Sequence, residues 1–112
     1  MPAKAADEMY RHAVIGPRIV ELEALCARFR VQRLEVFGSA VTGKFDKTES
    51  DLDFLVEFRP LNPGTHADAY FGLLEALQDL FQRDVDLVET GAIDNPYFLR
   101  SVNTQRTLLY AA

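Results

Sequence analysis

The sequence predicts an α/β fold, with a small mixed β-sheet flanked by helices, and three observations carry that expectation. Apolar residues recur at helical spacing in two long stretches, short strand-like runs alternate with them, and those runs end at turn residues. With 112 residues, 48% hydrophobic and 26% charged, the composition suits one domain spanning 1–112. Pro17 to about Phe29 reads as an amphipathic helix, because Pro17 suits a helix start and Ile19, Leu22, Cys26 and Phe29 share a face. Met1 to Gly16 is read as an arm or a disordered segment. Leu34 to Phe37 is apolar apart from Glu35 and ends at Gly38-Ser39 in the manner of a strand. Asp51 to Phe58 alternates, with Asp51, Asp53, Leu55 and Glu57 on one side and Leu52, Phe54, Val56 and Phe58 on the other, which predicts a strand with one buried face.

Arg59 to Gly64 (RPLNPG) reads as a loop. Thr65 with Asp68 resembles a capping box, opening a helix from His66 to about Gln82 whose buried stripe is Tyr70, Leu74, Leu77 and Phe81. Val85 to Val88 is a third strand, Asn95-Pro96 caps a short helix through about Val102, and Thr107 to Tyr110 is a last extended piece.

Twelve Lys and Arg against 17 Asp and Glu leave a net charge of -5, which argues against long nucleic acids as partners. The single cysteine, Cys26, forms no internal disulfide and reads as a packed thiol suited to a reducing cytosol. No run approaches a membrane span and the first residues lack a signal peptide's apolar stretch, so a cytoplasmic protein without a membrane partner is expected. His12 and His66 have no Cys or His at ligand spacing, which argues against zinc. His66 reads instead as a first-turn residue of its helix.

The stretch VFGSAVTGKFDKTESDLDFLVEF, Val36 to Phe58, carries the chemistry. Residues two apart on a strand project from one face roughly 7 Å apart at the backbone, so Asp51 and Asp53 can converge on a divalent ion. Asp86, in the VDLV of the third strand, is the candidate third carboxylate, with Asp84 as the alternative on the same face. Three carboxylates on neighbouring strands repel one another unless a hard cation such as Mg²⁺ lies among them. At Gly38 the absence of a side chain lets a phosphate approach the backbone, and Ser39 offers a hydroxyl and a main-chain N–H. Such parts suffice for phosphoryl or nucleotidyl transfer, which depends on positioning and charge neutralisation.

Taken together, FGSAVTGKF, SDLDFLVEF, VDLV, NPYFLRSV and LLY resemble the minimal nucleotidyltransferases of the DNA polymerase β-like superfamily, from about Val31 to Tyr110. The resemblance implies the nucleotidyltransferase fold, with Gly38 and Ser39 on the nucleotide phosphates and Asp51 and Asp53 on Mg²⁺. It also implies that Asp86 completes the metal triad and helps activate the acceptor hydroxyl. Small members of this kind resemble antitoxins that transfer AMP from ATP to a tyrosine of a HEPN ribonuclease toxin, which implies ATP and a HEPN-type toxin as partners. Two departures stand out: eleven residues separate Ser39 from Asp51, and Thr42 occupies a position where an arginine is common, with Lys44 and Lys47 as nearby cations. The alternatives are a module that neutralises its partner by contact alone, and a small-molecule nucleotidyltransferase completed by oligomerisation.

Overall fold

The computed structural model describes residues 7–42, 50–92 and 106–112. Helix α1 (Asp7–Tyr10) is followed by a 3-10 turn (Gly16–Arg18) that runs into α2 (Ile19–Arg28). Strand β1 (Val31–Phe37), the single turn α3 (Ser39–Thr42), β2 (Leu52–Phe58) and α4 (Pro63–Phe81) come next. Strand β3 (Val85–Glu89), a second 3-10 turn (Thr90–Ala92) and β4 (Arg106–Ala111) complete the described chain. The sheet is ordered β3-β2-β1-β4; β1 runs antiparallel to β2 and β4, while β2 and β3 are parallel. Parallel neighbours need a long crossover, and α4 supplies it. The mixed sheet agrees with the expected fold class.

One face of the sheet builds the main core. Leu34 and Val36 of β1, Leu52, Phe54 and Val56 of β2, and Leu87 of β3 pack against Leu22 and Cys26 of α2 and Leu73, Leu77 and Phe81 of α4. Phe54 and Phe81 stack with ring centroids 6.0 Å apart. Met9 and Ile15 belong to the same core, so the segment from α1 onward packs on the domain instead of forming a free arm. The expected short helix at 95–102 and the lysines Lys44 and Lys47 lie outside the described residues.

Three expectations are corrected. The N-cap of α4 is Asn62, whose Oδ1 accepts the Thr65 N–H at 2.9 Å with Pro63 in the first turn, so Thr65 is no capping-box residue. The buried line of α4 is Ala69, Leu73, Leu77 and Phe81, with Tyr70 and Leu74 beside it. Gly72 explains the rotation: a Cβ there would crowd the Phe29 ring, so α4 turns this bare flank toward the end of α2. Finally, β2 is buried on both faces over part of its length, because Leu55 packs with Phe37 and Val88 in a second, smaller cluster. An interior strand with neighbours on both sides has little open surface. Among the described residues no helix is long and apolar enough to cross a membrane.

Candidate active site

The sheet face opposite α2 and α4 carries Glu35, Asp53 and Asp86, while Glu89 lies on the helix side against His66. Leu52 and Phe54 point into the main core, so Asp53 between them points to the opposite face, and Leu87 fixes Asp86 in the same way. In the parallel β2–β3 pair, Asp53 and Asp86 are direct register partners. Asp51 precedes β2, is exposed, and lies two residues before Asp53 on the same side. The structure therefore brings Asp53 and Asp86 together with Asp51 beside them.

The electrostatics agree with this grouping. Burial raises the Asp53 carboxyl above its ordinary value, and the charges of Asp86 and then Asp51 raise it further. Asp84 lies exposed before β3, and its carbonyl accepts the Leu52 N–H at 3.2 Å. Of the two candidates, Asp86 is the one paired with Asp53 in the β2–β3 register.

Gly38 follows Phe37, the register partner of Asp53, and so stands at the carboxylate. Its φ of 74° is in the left-handed region, and a Cβ there would overlap Asp53 Oδ2. Ser39 opens α3, and Gly38 O accepts the Val41 N–H at 3.1 Å, which closes the turn. Gly38 of the Gly-Ser turn and Asp53 of the Asp pair, distant in sequence, thus stand side by side. A further anchor is Arg83, whose Nη1 donates to the Ser50 carbonyl at 2.8 Å and ties the residue before Asp51 to the approach of β3.

A divalent cation fits this set in kind: hard oxygen donors, among which burial and then the charges of Asp86 and Asp51 raise the pKa of Asp53, gain from a positive charge among them. Among the described residues no three His, Cys, Asp or Glu side chains converge at ligand spacing.

The residues that sequence reasoning missed are Arg83, Arg33 and Arg106. Glu35, a lone acid in an apolar run, is 6% exposed, and its oxygens accept from Arg33 Nε and Arg106 Nε, each at 3.1 Å. A charged residue in a central strand needs a partner, and that signal was present in the sequence. An apolar cleft of about 590 Å³ lies elsewhere, lined by Leu61, Pro63, His66, Ala67, Tyr70, Phe71 and Glu89. Tyr70 donates to Leu87 O at 2.7 Å there, and His66 meets Glu89. None of the three aspartates lines that cleft, so its size does not make it the reaction site.

A mixed sheet with helices on one face and paired aspartates against a Gly-Ser turn on the other defines a nucleotidyltransferase fold. Residues 21–109 match the family model described as nucleotidyltransferase domain, and the chain belongs to that family of enzymes. Two candidate protein adenylyltransferases of Methanocaldococcus jannaschii are similar to it, one 32% identical over 83 residues and the other 37% over 84, each alignment covering 74% of this chain and 79% of the relative. A solved candidate minimal nucleotidyltransferase superposes with a TM-score of 0.64 at 31% identity, covering 80% of this chain and 87% of the other. A toxin–antitoxin crystal structure with AMP-PNP shares the fold at a TM-score of 0.64 and 24% identity, covering 84% of this chain and 73% of the other. So does a complex of tri-AMPylated Shewanella oneidensis HEPN toxin with its MNT antitoxin, at 0.59 and 22%, covering 86% and 71%.

Proposed function

We propose that this nucleotidyltransferase moves AMP from Mg-ATP to a hydroxyl, a tyrosine of a HEPN-type toxin, and so acts as that toxin's antitoxin in the cytoplasm. The observation that carries the reading is the Gly38 turn seated on Asp53 while Asp53 faces Asp86 across the β2–β3 register. Support for the acceptor comes from the two M. jannaschii relatives, whose names denote protein adenylyltransferases, and from the AMPylated toxin in the Shewanella complex.

Each residue has a role in that reaction. Gly38 and Ser39 hold the triphosphate with backbone and hydroxyl donors. Asp51, Asp53 and Asp86 would hold Mg²⁺, which supplies neutralisation of phosphate charge. Asp86 accepts the acceptor hydroxyl's proton. The acceptor oxygen then bonds to the α-phosphorus as its bond to the bridging oxygen of the β-phosphate breaks, and pyrophosphate leaves. Positioning and charge neutralisation carry the step, which suits a domain of this size.

The test is the intact mass of the protein encoded beside this one, co-expressed with wild type or Asp53→Asn. An added AMP mass seen with wild type alone supports the reading. A stable complex with no added mass in either case replaces it with neutralisation by contact.

A further inference from the structure

A nucleotide triphosphate carries several negative charges, yet the candidate site presents three aspartates in a chain of net charge -5. The cross-strand register shows where a compensating cation stands. Asp86 pairs with Asp53, Asp53 with Phe37, and Phe37 with Arg106, so one row crosses all four strands from carboxylates to a guanidinium. Directly paired residues of antiparallel strands share a face, which puts Arg106 on the open face with Asp53. Two strand spacings separate their backbones, about 10 Å, and the 7% exposed Phe37 stands between.

That spacing matters for the charge. Arg106 stands two strands away from Asp53 and pairs with Glu35 instead of the aspartates. Its Nε donates to the buried Glu35, which fixes the root of the guanidinium, while its side chain keeps 32% of its surface exposed. Glu35 is shared with Arg33, so two arginines surround one carboxylate and the trio keeps a net positive charge. Arg33 lies farther along β1, opposite Glu57, away from the row.

Building on the nucleotidyl-transfer reading, we infer that Arg106, held by Glu35, binds the distal phosphates of the nucleotide triphosphate. With the α-phosphate over the aspartates, a tail extending across the Gly38 end of β1 runs toward the Nη atoms of Arg106. Guanidinium is suited to this work because its planar fork matches phosphate oxygens.

Calorimetric titration with Mg-ATP tests it on wild type, Arg106→Gln, Arg33→Gln and Asp53→Asn. Glutamine can still donate to Glu35, so both arginine variants should fold, and melting curves verify this. Arg106→Gln should weaken Mg-ATP binding about 10-fold or more, the loss of one charge-assisted contact, and flatten its dependence on KCl. Arg33→Gln, which perturbs the same buried carboxylate, should change it less than about twofold. Wild-type affinity and salt dependence in Arg106→Gln, with binding lost in Asp53→Asn, would overturn the Arg106 role and leave the transferase reading standing. Equal weakening in both arginine variants would also overturn it, by reducing the trio to structural support. Failure of wild type to bind Mg-ATP would overturn both.

Discussion

Asp53 is the candidate-site residue whose burial works against its charge. Its carboxyl is raised by burial and by Asp86 and Asp51, so the folded state holds its proton more tightly than the unfolded chain does. Such a group favours folding below the unfolded carboxylate pKa of about 3.9 and loses that contribution as pH rises through its folded value. Asp53→Asn should therefore be more stable than wild type at pH 7, by at most about 1 kcal/mol because the site is partly screened by solvent. The gain should vanish near pH 3, which urea unfolding at the two pH values measures. The same variant should lose the rise in melting temperature that Mg-ATP gives wild type. Gly38→Ala meets two penalties, a left-handed backbone and overlap with Asp53 Oδ2, and should cost about 1–3 kcal/mol in denaturant melts while weakening Mg-ATP binding. As candidates, both residues were legible in the sequence because their chemical types and order are distinctive. The Glu35–Arg106 pair was not, because its two members lie on strands whose register no local pattern encodes.

At the scale of the element, the start of α4 separates local signal from local noise. Asn62-Pro63 has the same cap-and-first-turn character as Asn95-Pro96, yet it sits inside RPLNPG, whose proline and glycine content reads as loop. The structure puts the cap at Asn62, so Asn62→Ala should lower stability by about 1 kcal/mol. Thr65→Ala, which would remove a capping-box residue, should stay within about 0.5 kcal/mol of wild type; chemical denaturation of the two variants separates the alternatives. The stripe on α4 was misassigned for a related reason. Tyr70 and Leu74 match helical periodicity as well as Ala69 and Leu73 do, and packing on the sheet and α2, with Gly72 set against the Phe29 ring, decides which line turns inward. Strand β1 begins at Val31, before the expected Leu34, because pairing with Phe58 extends it through polar Gln32 and Arg33.

For the whole molecule, the described helices α2 and α4 pack on one face of the sheet with the candidate site on the other, and Cys26 reports on the integrity of the packed side. Burial, followed by the charge of Glu23, pushes its thiol up to about 12, so it should react with a thiol reagent only when the domain unfolds. Labelling rates across a urea series should therefore track the global unfolding free energy; fast labelling in the native state would contradict the packing described. The sequence by itself determined the α/β class, the order along the chain of the four strands and the two long helices, the Gly-Ser turn, and the candidate aspartates for a metal. These follow from local periodicity, turn chemistry and residue type. Tertiary structure alone decided that Asp86, ahead of Asp84, faces Asp53, that Gly38 touches its carboxylate, and that Arg106 ends the same row. Strand order and register bring those residues together, and both arise from the burial of a shared core by segments far apart in the chain.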